Sequence, residues 1–451
     1  MQAKCQVDMT YGDIPKQLFM FTIPILLSQI LQQFYNIADT AIIGQYVGTD
    51  ALAAIGSTGL LIAVIVNFFI GLSTGVSAVI ANQFGAHEYE KLRKSIATSL
   101  SISIVLGIIF TIGSLIFMKP IINLLQTPKD VYYLAVDYLK ICFLGITFQL
   151  LYNIGTAILR ALGNTKDPLY FLVFSCVLNL ILDILFIVYF GWGVKGAAIA
   201  TLLSRMFCSF IILYMLLNKE HTIYIDTYFK YHFDFATVKK ILQIGIPNGL
   251  ENGMFQMGKI LVQRLVSTFG TAAIAAHAVA FSLTSIAVVP GMALGLAILT
   301  VVGQCIGAND YQQAKYYTKK LMIIAYLSTI VAAGILLVGV RYILKLYALP
   351  QATANLAVSM VSLHCVFDFF IWPMAFSFPN ALRAANDATY TMIVSTFSMW
   401  TFRFALSYVF ALYLHMGVIG VWWAMIVDWI FRAICFMIRY KSNKWMNRTL
   451  V

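Results

Sequence analysis

Apolar stretches long enough to cross a lipid bilayer recur from one end of the chain to the other, separated by short polar or glycine-containing interruptions. They fall at 16–46, 52–82, 95–118, 131–159, 168–190, 195–217, 241–268, 273–304, 318–340, 353–382, 390–414 and 418–439. Each exceeds the roughly 18 residues that mark a membrane-spanning helix. None shows the strict alternation of an outer-membrane barrel strand, and open sheet edges do not survive in lipid. The pattern therefore predicts an all-α integral membrane protein with twelve transmembrane helices.

The longest polar interruption, 218–240, falls at the middle of the chain. It is expected to be a cytoplasmic linker between an N-terminal six-helix lobe, 1–217, and a C-terminal one, 241–451. Sliding the second half back by about 223 residues aligns Ile23-Pro24 with Ile246-Pro247, GTDALAA with GTAAIAA, GAHEY with GANDY, LRA with LRA, and GVKGA with GVIGV. Five ordered matches at nearly one offset identify an internal repeat. An even number of spans per half gives both halves the same orientation, so the repeat is parallel. Parallel repeats that enclose a central cavity are the geometry of alternating-access carriers.

Composition agrees with a membrane environment: 61% of residues are hydrophobic and 11% charged. The net charge of +12 would raise nucleic acid as a partner in a soluble protein. Here Lys91, Arg93, Lys94, Lys166, Lys219, Lys230, Lys239, Lys240, Lys315, Lys319, Lys320, Arg439, Lys441 and Lys444 collect in the loops of one side. The other side holds Lys119, Lys129, Lys195, Arg341 and Lys345. That asymmetry predicts a cell-membrane protein with both termini cytoplasmic and excludes a nucleic-acid-binding patch. The segment MQAKCQVDMTYGDIPKQ lacks the apolar core of a cleaved signal, so the first span is expected to direct its own insertion. Cys142, Cys176, Cys208 and Cys435 lie inside apolar stretches and read as small packing residues. No P-loop, nucleophile elbow or zinc-protease signature occurs, which leaves an ATPase or a membrane hydrolase without support. Neither an enzyme nor a cofactor is expected.

Six acidic residues fall within or beside spans: Asp39, Asp137, Asp183, Glu251, Asp368 and Asp428. A charge at the bilayer centre costs from about 3 to more than about 10 kcal/mol, so each needs a partner, a cavity or a proton. Asp39 and Asp183 both lie about seven residues from the outer ends of their spans, roughly 10 Å below the interface, and Thr201 reaches the same depth. Asn179 and Asp183, four apart, share one helical face. Two carboxylates, an amide oxygen and a hydroxyl in one layer suit sodium, and the same pair of carboxylates can carry a proton. The alternative is a structural hydrogen bond between helices.

Pro24 lies fifteen residues before Asp39 on the same helix. It permits a kink that the charge state of Asp39 can bias; the alternative is a static kink fixed by packing. Glu251, four residues beyond Pro247, and Asp368, beside aromatics and a proline expected to break its helix, are candidate substrate-cavity acids, together with Gln33 and Asn36; Lys259 is an alternative partner for Glu251. Asp428 with Arg432, and Asp137 with Lys140, read as pairs one helical turn apart. Arg160 and Arg383 are expected to complement helix C-termini.

The opening IPILLSQILQQFYNIADTAIIGQYVG, the loop QFGAHEYEKLRK with its echo QCIGANDYQQAKYY, and the segments LRALGNTKDP and LRAANDAT together resemble the multidrug and toxic compound extrusion (MATE) family, over nearly the whole chain. The resemblance implies a secondary antiporter that expels organic, often cationic, compounds in exchange for sodium or protons, and a monomer surrounded by lipid is expected. In the branch similar to DinF, the N-lobe cation site matches Asp39, Asn179, Asp183 and Thr201, and the bending proline matches Pro24. The other bacterial branch places acids in the seventh and tenth helices, where Glu251 and Asp368 fall. A lipid-linked oligosaccharide flippase of the same superfamily is the alternative, and the intramembrane acids disfavour it. At the repeat offset Asp39 falls on Val262 and Asp183 on Leu406 or Ser407, so the duplicated scaffold does not duplicate the site.

Overall fold

The computed structural model describes residues 14–124, 129–217, 234–345, 347 and 349–447. Most of the expected linker, including Lys219 and Lys230, lies outside the described residues, and residues 235–240 are the opening turns of a helix.

Twelve helical columns follow in order: α1 (Ile14–Tyr46), α2 (Thr49–Gly85), α3 (Tyr89–Leu124), α4 (Lys129–Leu144 and Ile146–Ala161), α5 (Lys166–Asp183, continued by Ile184–Tyr189) and α6 (Gly193–Leu217). The second set comprises α7 (Phe235–Ser267), α8 (Thr271–Ala287 and Val289–Gly307), α9 (Tyr311–Lys345), α10 (Gln351–Asp368, Trp372–Phe376 and Pro379–Ala384), α11 (Ala388–Ser398 through Val409–Tyr413) and α12 (Gly417–Lys441). No strand occurs among the described residues.

Several helices outrun their apolar stretches. α3 begins in the charged EKLRK segment and α9 in QQAKYYTKK, because Lys, Glu and Gln are good helix formers that extend a span into water. Two columns are bent where the sequence pattern gave single spans: α4 by 45° at Gly145 and α10 by 71° at residues 369–371. In α10, Pro373 and Pro379 each stand in the first turn of a short helix, where a missing N–H costs nothing. Among the described residues eight helices qualify as spans by length and apolarity, or ten when each bent pair counts once. α7 falls short in apolarity, since Gln, Asn and Gly residues accompany Glu251, Lys259 and Arg264; α11 is divided by two π-helical stretches.

The internal repeat is visible in backbone conformation. Left-handed residues stand at Gly48 and Gly270, His87 and Asn309, Gly163 and Asn386, Gly191 and His415, and Gly193 and Gly417, each pair separated by 222 to 224 positions. α5 and α11 also end alike, with wide-turn hydrogen bonds from Phe190 N–H to Leu185 C=O and from Leu414 N–H to Val409 C=O, both 3.0 Å.

The chain divides into two compact units, Met1–Gly249 and Leu250–Val451, and the division falls inside α7 just past Pro247. Within the first unit α1 packs against α5 and α6, and Ile43, Ile187, Val194 and Ala197 form the apolar cluster that joins those three helices. The opening half of α7 approaches α2 through paired glycines four residues apart. A Cβ on Gly71 would stand 2.4 Å from the Asn248 backbone and one on Gly75 would stand 2.6 Å from the Gly245 nitrogen. Such small-residue pairs let two helix backbones meet in lipid, where no hydrophobic drive separates helix from solvent. The second unit is centred on Trp372, Trp422, Trp429, Met360 and Leu283.

Candidate functional site

In the first unit, α1, α5 and α6 carry the polar layer. Asp39 lies seven residues from the Tyr46 end of α1, Asp183 six from the Tyr189 end of α5, and Thr201 eight from the Gly193 start of α6. All three therefore lie roughly 10 Å inside the same end of the bundle. Asn179 and Asp183 are buried, at 1% and 0% exposure, whereas Asp39 and Thr201 are half-buried.

The layer is knitted by the Asn179 amide. In the orientation that satisfies its neighbours, Nδ2 donates to Asp183 Oδ2 at 2.8 Å and to Tyr35 Oη at 3.2 Å, while Oδ1 accepts from the Thr201 N–H at 3.1 Å. The Asp39 and Asp183 carboxyl groups lie within hydrogen-bonding reach of each other. Both acids also keep a buried Oδ1 with no hydrogen-bond partner among the described residues. Two carboxylates in contact repel when both are ionised, and a proton or a cation between them relieves that repulsion. The unpartnered oxygens point to the same need.

A cavity of about 210 Å³ opens onto this layer. Tyr35, Asn36, Asp39, Tyr138, Cys142, Gln149, Thr201 and Arg205 give it a polar lining, and Ile62, Ile65, Val66 and Phe69 of α2 close its apolar side. Arg205 is near enough to act electrostatically on Asp39. Gln33, one of the expected cavity residues, is half-buried and does not line this cavity, whereas Asn36 does. Ser28 Oγ donates to the Pro24 carbonyl at 2.7 Å, the bond to the i−4 carbonyl that a helical serine commonly makes.

Tyr35 and Arg205 escaped the sequence reading although a signal was present. Tyr35 precedes Asp39 by four residues and Arg205 follows Thr201 by four, the spacing that placed Asn179 beside Asp183.

The other intramembrane acids each meet a base. Glu251 accepts from Arg383 Nη2 at 2.7 Å and from Thr391 Oγ1 at 3.4 Å, so its partner is Arg383 and not Lys259. Arg383 is accordingly engaged by an acid and does not merely complement a helix end; Asn380 Oδ1 also accepts from it at 3.0 Å. Asp368, fully buried, pairs with His364 at 2.7 Å, against the Trp429 ring. Asp428 pairs with Arg432 at 2.7 Å as its spacing predicted, accepts from Ser398, and lies 3.7 Å from Arg403. Asp137 pairs with Lys195 at 3.0 Å and not with Lys140, because α4 turns that face towards the start of α6. Among the described residues no three His, Cys, Asp or Glu side chains gather as a multivalent-metal site would require.

The chain matches the MatE family model twice, over residues 24–185 and 247–409, the two copies of the repeat. It is 26% identical over 413 residues to the probable multidrug resistance protein YoeA of Bacillus subtilis, covering 90% of this chain and 89% of that one. It is also 26% identical over 449 residues to the probable multidrug resistance protein NorM of Thermotoga maritima, covering 97% and 95%. An outward-facing conformation of a multidrug resistance MATE family transporter of the MOP superfamily shares the fold with a TM-score of 0.92 at 24% identity over the whole of both chains. The twelve columns are thus the twelve transmembrane helices of that fold, in two repeats. The chain is a multi-pass membrane transporter, not an enzyme, and it belongs to the MatE family.

Proposed function

We propose that the chain is a secondary antiporter that exports small organic compounds in exchange for sodium or protons, with the coupling ion held by Asp39, Asn179, Asp183 and Thr201. The observation that carries this reading is the Asp39–Asp183 carboxyl pair, in which each acid keeps an unpartnered buried oxygen and Asp39 lines a cavity. The names of the relatives, multidrug resistance proteins, support organic compounds as the exported class.

The chemistry follows from charge balance. When the layer holds an ion or a proton the two carboxylates are drawn together and α1, α5 and α6 close around them; when it is empty their repulsion favours a different packing of the same helices. Because α1 contains Pro24, it has a point at which its upper half can swing without breaking a full set of backbone bonds. Alternation between the two packings, driven by the ion gradient, exposes the substrate path to one side of the membrane and then to the other. Thr201 and the Asn179 amide supply neutral oxygens that fit sodium, whereas the paired carboxyls alone suffice for a proton. The excess of lysine and arginine in the loops on the side of the termini supports a cytoplasmic position for that side.

The test is export of a fluorescent cationic dye from proteoliposomes under a sodium gradient or a pH gradient, imposed one at a time. Asp39→Asn should abolish gradient-driven export while leaving the purified protein monodisperse; export at the wild-type rate would refute the assignment.

A further inference from the structure

The second unit holds a cluster of cations that its acids do not balance. Three of them converge on one ring: Lys259 Nζ lies 5.0 Å from the Phe255 centroid, Arg403 Cζ 5.0 Å and Arg432 Cζ 5.2 Å. Lys259 also lies 5.1 Å from the Phe281 centroid. Asp428 is the one carboxylate among the described residues that pairs with this group. Glu251 and Asp368 are taken by Arg383 and His364. Three cations thus face one carboxylate, and Lys259 makes no ion pair and no hydrogen bond among the described residues.

Position makes this imbalance costly. Lys259 lies eight residues inside the Ser267 end of α7 and Arg403 ten residues inside the Tyr413 end of α11. Those separations correspond to about 12 and 15 Å along a helix, well within the hydrocarbon zone. Cation–π contacts return about 2 kcal/mol each at best when desolvated. A fourth donor, a neutral one, stands beside them. Trp422 Nε1 donates to His277 Nδ1 at 3.1 Å, which leaves His277 Nε2 carrying its hydrogen as a donor. His277 stacks on Phe281, the same ring that Lys259 faces. The combination is positive charge and N–H donors set among half-exposed aromatic surfaces, Phe255 and Phe281.

The repeat sharpens the contrast. Lys259 corresponds to Asn36, one turn before Asp39, and Arg403 corresponds to Asn179. Where the first unit gathers carboxylates, the equivalent helices of the second gather cations.

We propose that Lys259, Arg403, Arg432 and His277, around Phe255 and Phe281, form a binding site for the anionic group of an amphipathic organic anion or zwitterion: a carboxylate, sulfonate or phosphate attached to an aromatic or aliphatic body. This rests on the reading of the chain as an exporter of organic compounds and extends its substrate class beyond cations. The anion neutralises the excess charge, and the rings pack its apolar part.

The experiment compares 8-anilinonaphthalene-1-sulfonate with N-phenyl-1-naphthylamine, the same body without the sulfonate, binding to the full-length protein in phosphatidylcholine nanodiscs. The wild type should bind the sulfonate more tightly than its neutral twin. Lys259→Met, which keeps the stem, should weaken sulfonate binding about tenfold or more, as expected for loss of a charged hydrogen bond, and leave the neutral probe unchanged. Lys259→Arg should restore it. Equal affinity for the two probes, or an equal loss of both in Lys259→Met, overturns the proposal. So does displacement of the sulfonate by phosphatidylglycerol in the wild type but not in Lys259→Met, which would assign the site to a lipid headgroup. Ion-driven dye export is read separately. A chain that binds the sulfonate but lacks ion-driven export keeps the anion site and loses the antiport reading, and the converse result removes the anion site alone.

Discussion

Asp183→Asn is the most informative single change in the polar layer. The substitution is nearly isosteric and removes one of two charges at a side chain with no solvent exposure. Its amide can still meet Asn179, whose Nδ2 donates to Asp183 Oδ2 at 2.8 Å, so folding should survive. A bound monovalent cation about 3 Å from each carboxylate gains roughly 5 kcal/mol from each at an effective dielectric of 20. Dehydration of ion and carboxylates offsets most of that gain. If only about 1.4–2.8 kcal/mol of the Asp183 share is net, the loss is about ten- to a hundredfold in ion affinity. Isothermal titration of sodium into the purified protein, with proton release followed in parallel, measures this directly. Ion-driven dye export should fall in step. A variant that keeps wild-type ion affinity and wild-type export, while eluting as a monodisperse species, would refute the placement of the coupling ion between Asp39 and Asp183.

Further outcomes follow from packing and charge elsewhere. Gly75→Val places a branched side chain where even a Cβ comes within 2.6 Å of the α7 backbone. The overpacking should cost about 1–3 kcal/mol and lower the thermal midpoint in detergent, and an unchanged midpoint would contradict the close α2–α7 approach. Asp428→Asn leaves Arg432 and Arg403 buried without a carboxylate, a loss of about 3–5 kcal/mol. It should therefore deplete folded protein on size-exclusion chromatography, and adding Arg432→Met should recover part of it; full folding of the single variant would contradict the pairing. Asp234 caps α7, accepting from the Thr237 hydroxyl at 2.6 Å and from the Ala236 N–H at 3.1 Å, and the Thr237 bond holds its carboxyl below the ordinary 3.8. A group whose folded pKa is depressed stabilises above its unfolded value and stops doing so as pH falls through the folded one. The cap, about 0.5–1 kcal/mol at neutral pH, should thus begin to fade below about pH 4 and be lost once pH has fallen past the folded value. Asp234→Ala should cost that much at pH 7 and nothing in strong acid, as hydrogen exchange at the start of α7 would report.

How far the chain could be read in advance depended on which physical rule was local. Helix number followed from apolar length, and the repeat from matched loop residues, because left-handed turns such as His87 and Asn309 demand particular side chains at fixed places. The bend at Gly145 was not visible as a span boundary, since it lies in apolar sequence, whereas the break in α10 was signalled by Pro373 shortly after Asp368. Within the candidate site, the Asn179–Asp183 contact was legible from i, i+4 spacing. The convergence of α1 on α5 was inferred only from equal depth. Partners lying far apart in sequence were not legible: Glu251 meets Arg383 across 132 positions, whereas the sequence offered only Lys259, on the same helix, as an alternative partner. Asp137 and Lys195 show the same effect, because hydrocarbon rewards any available counter-charge that tertiary packing supplies.

The central claim is that the Asp39–Asp183 layer converts an ion gradient into export. Its most direct measurement is dye export from proteoliposomes holding wild type, Asp39→Asn or Asp183→Asn, driven in turn by a sodium gradient and a pH gradient. The wild type should respond to at least one gradient and both variants to neither. Export by either variant at the wild-type rate under the gradient that drives the wild type would contradict the account.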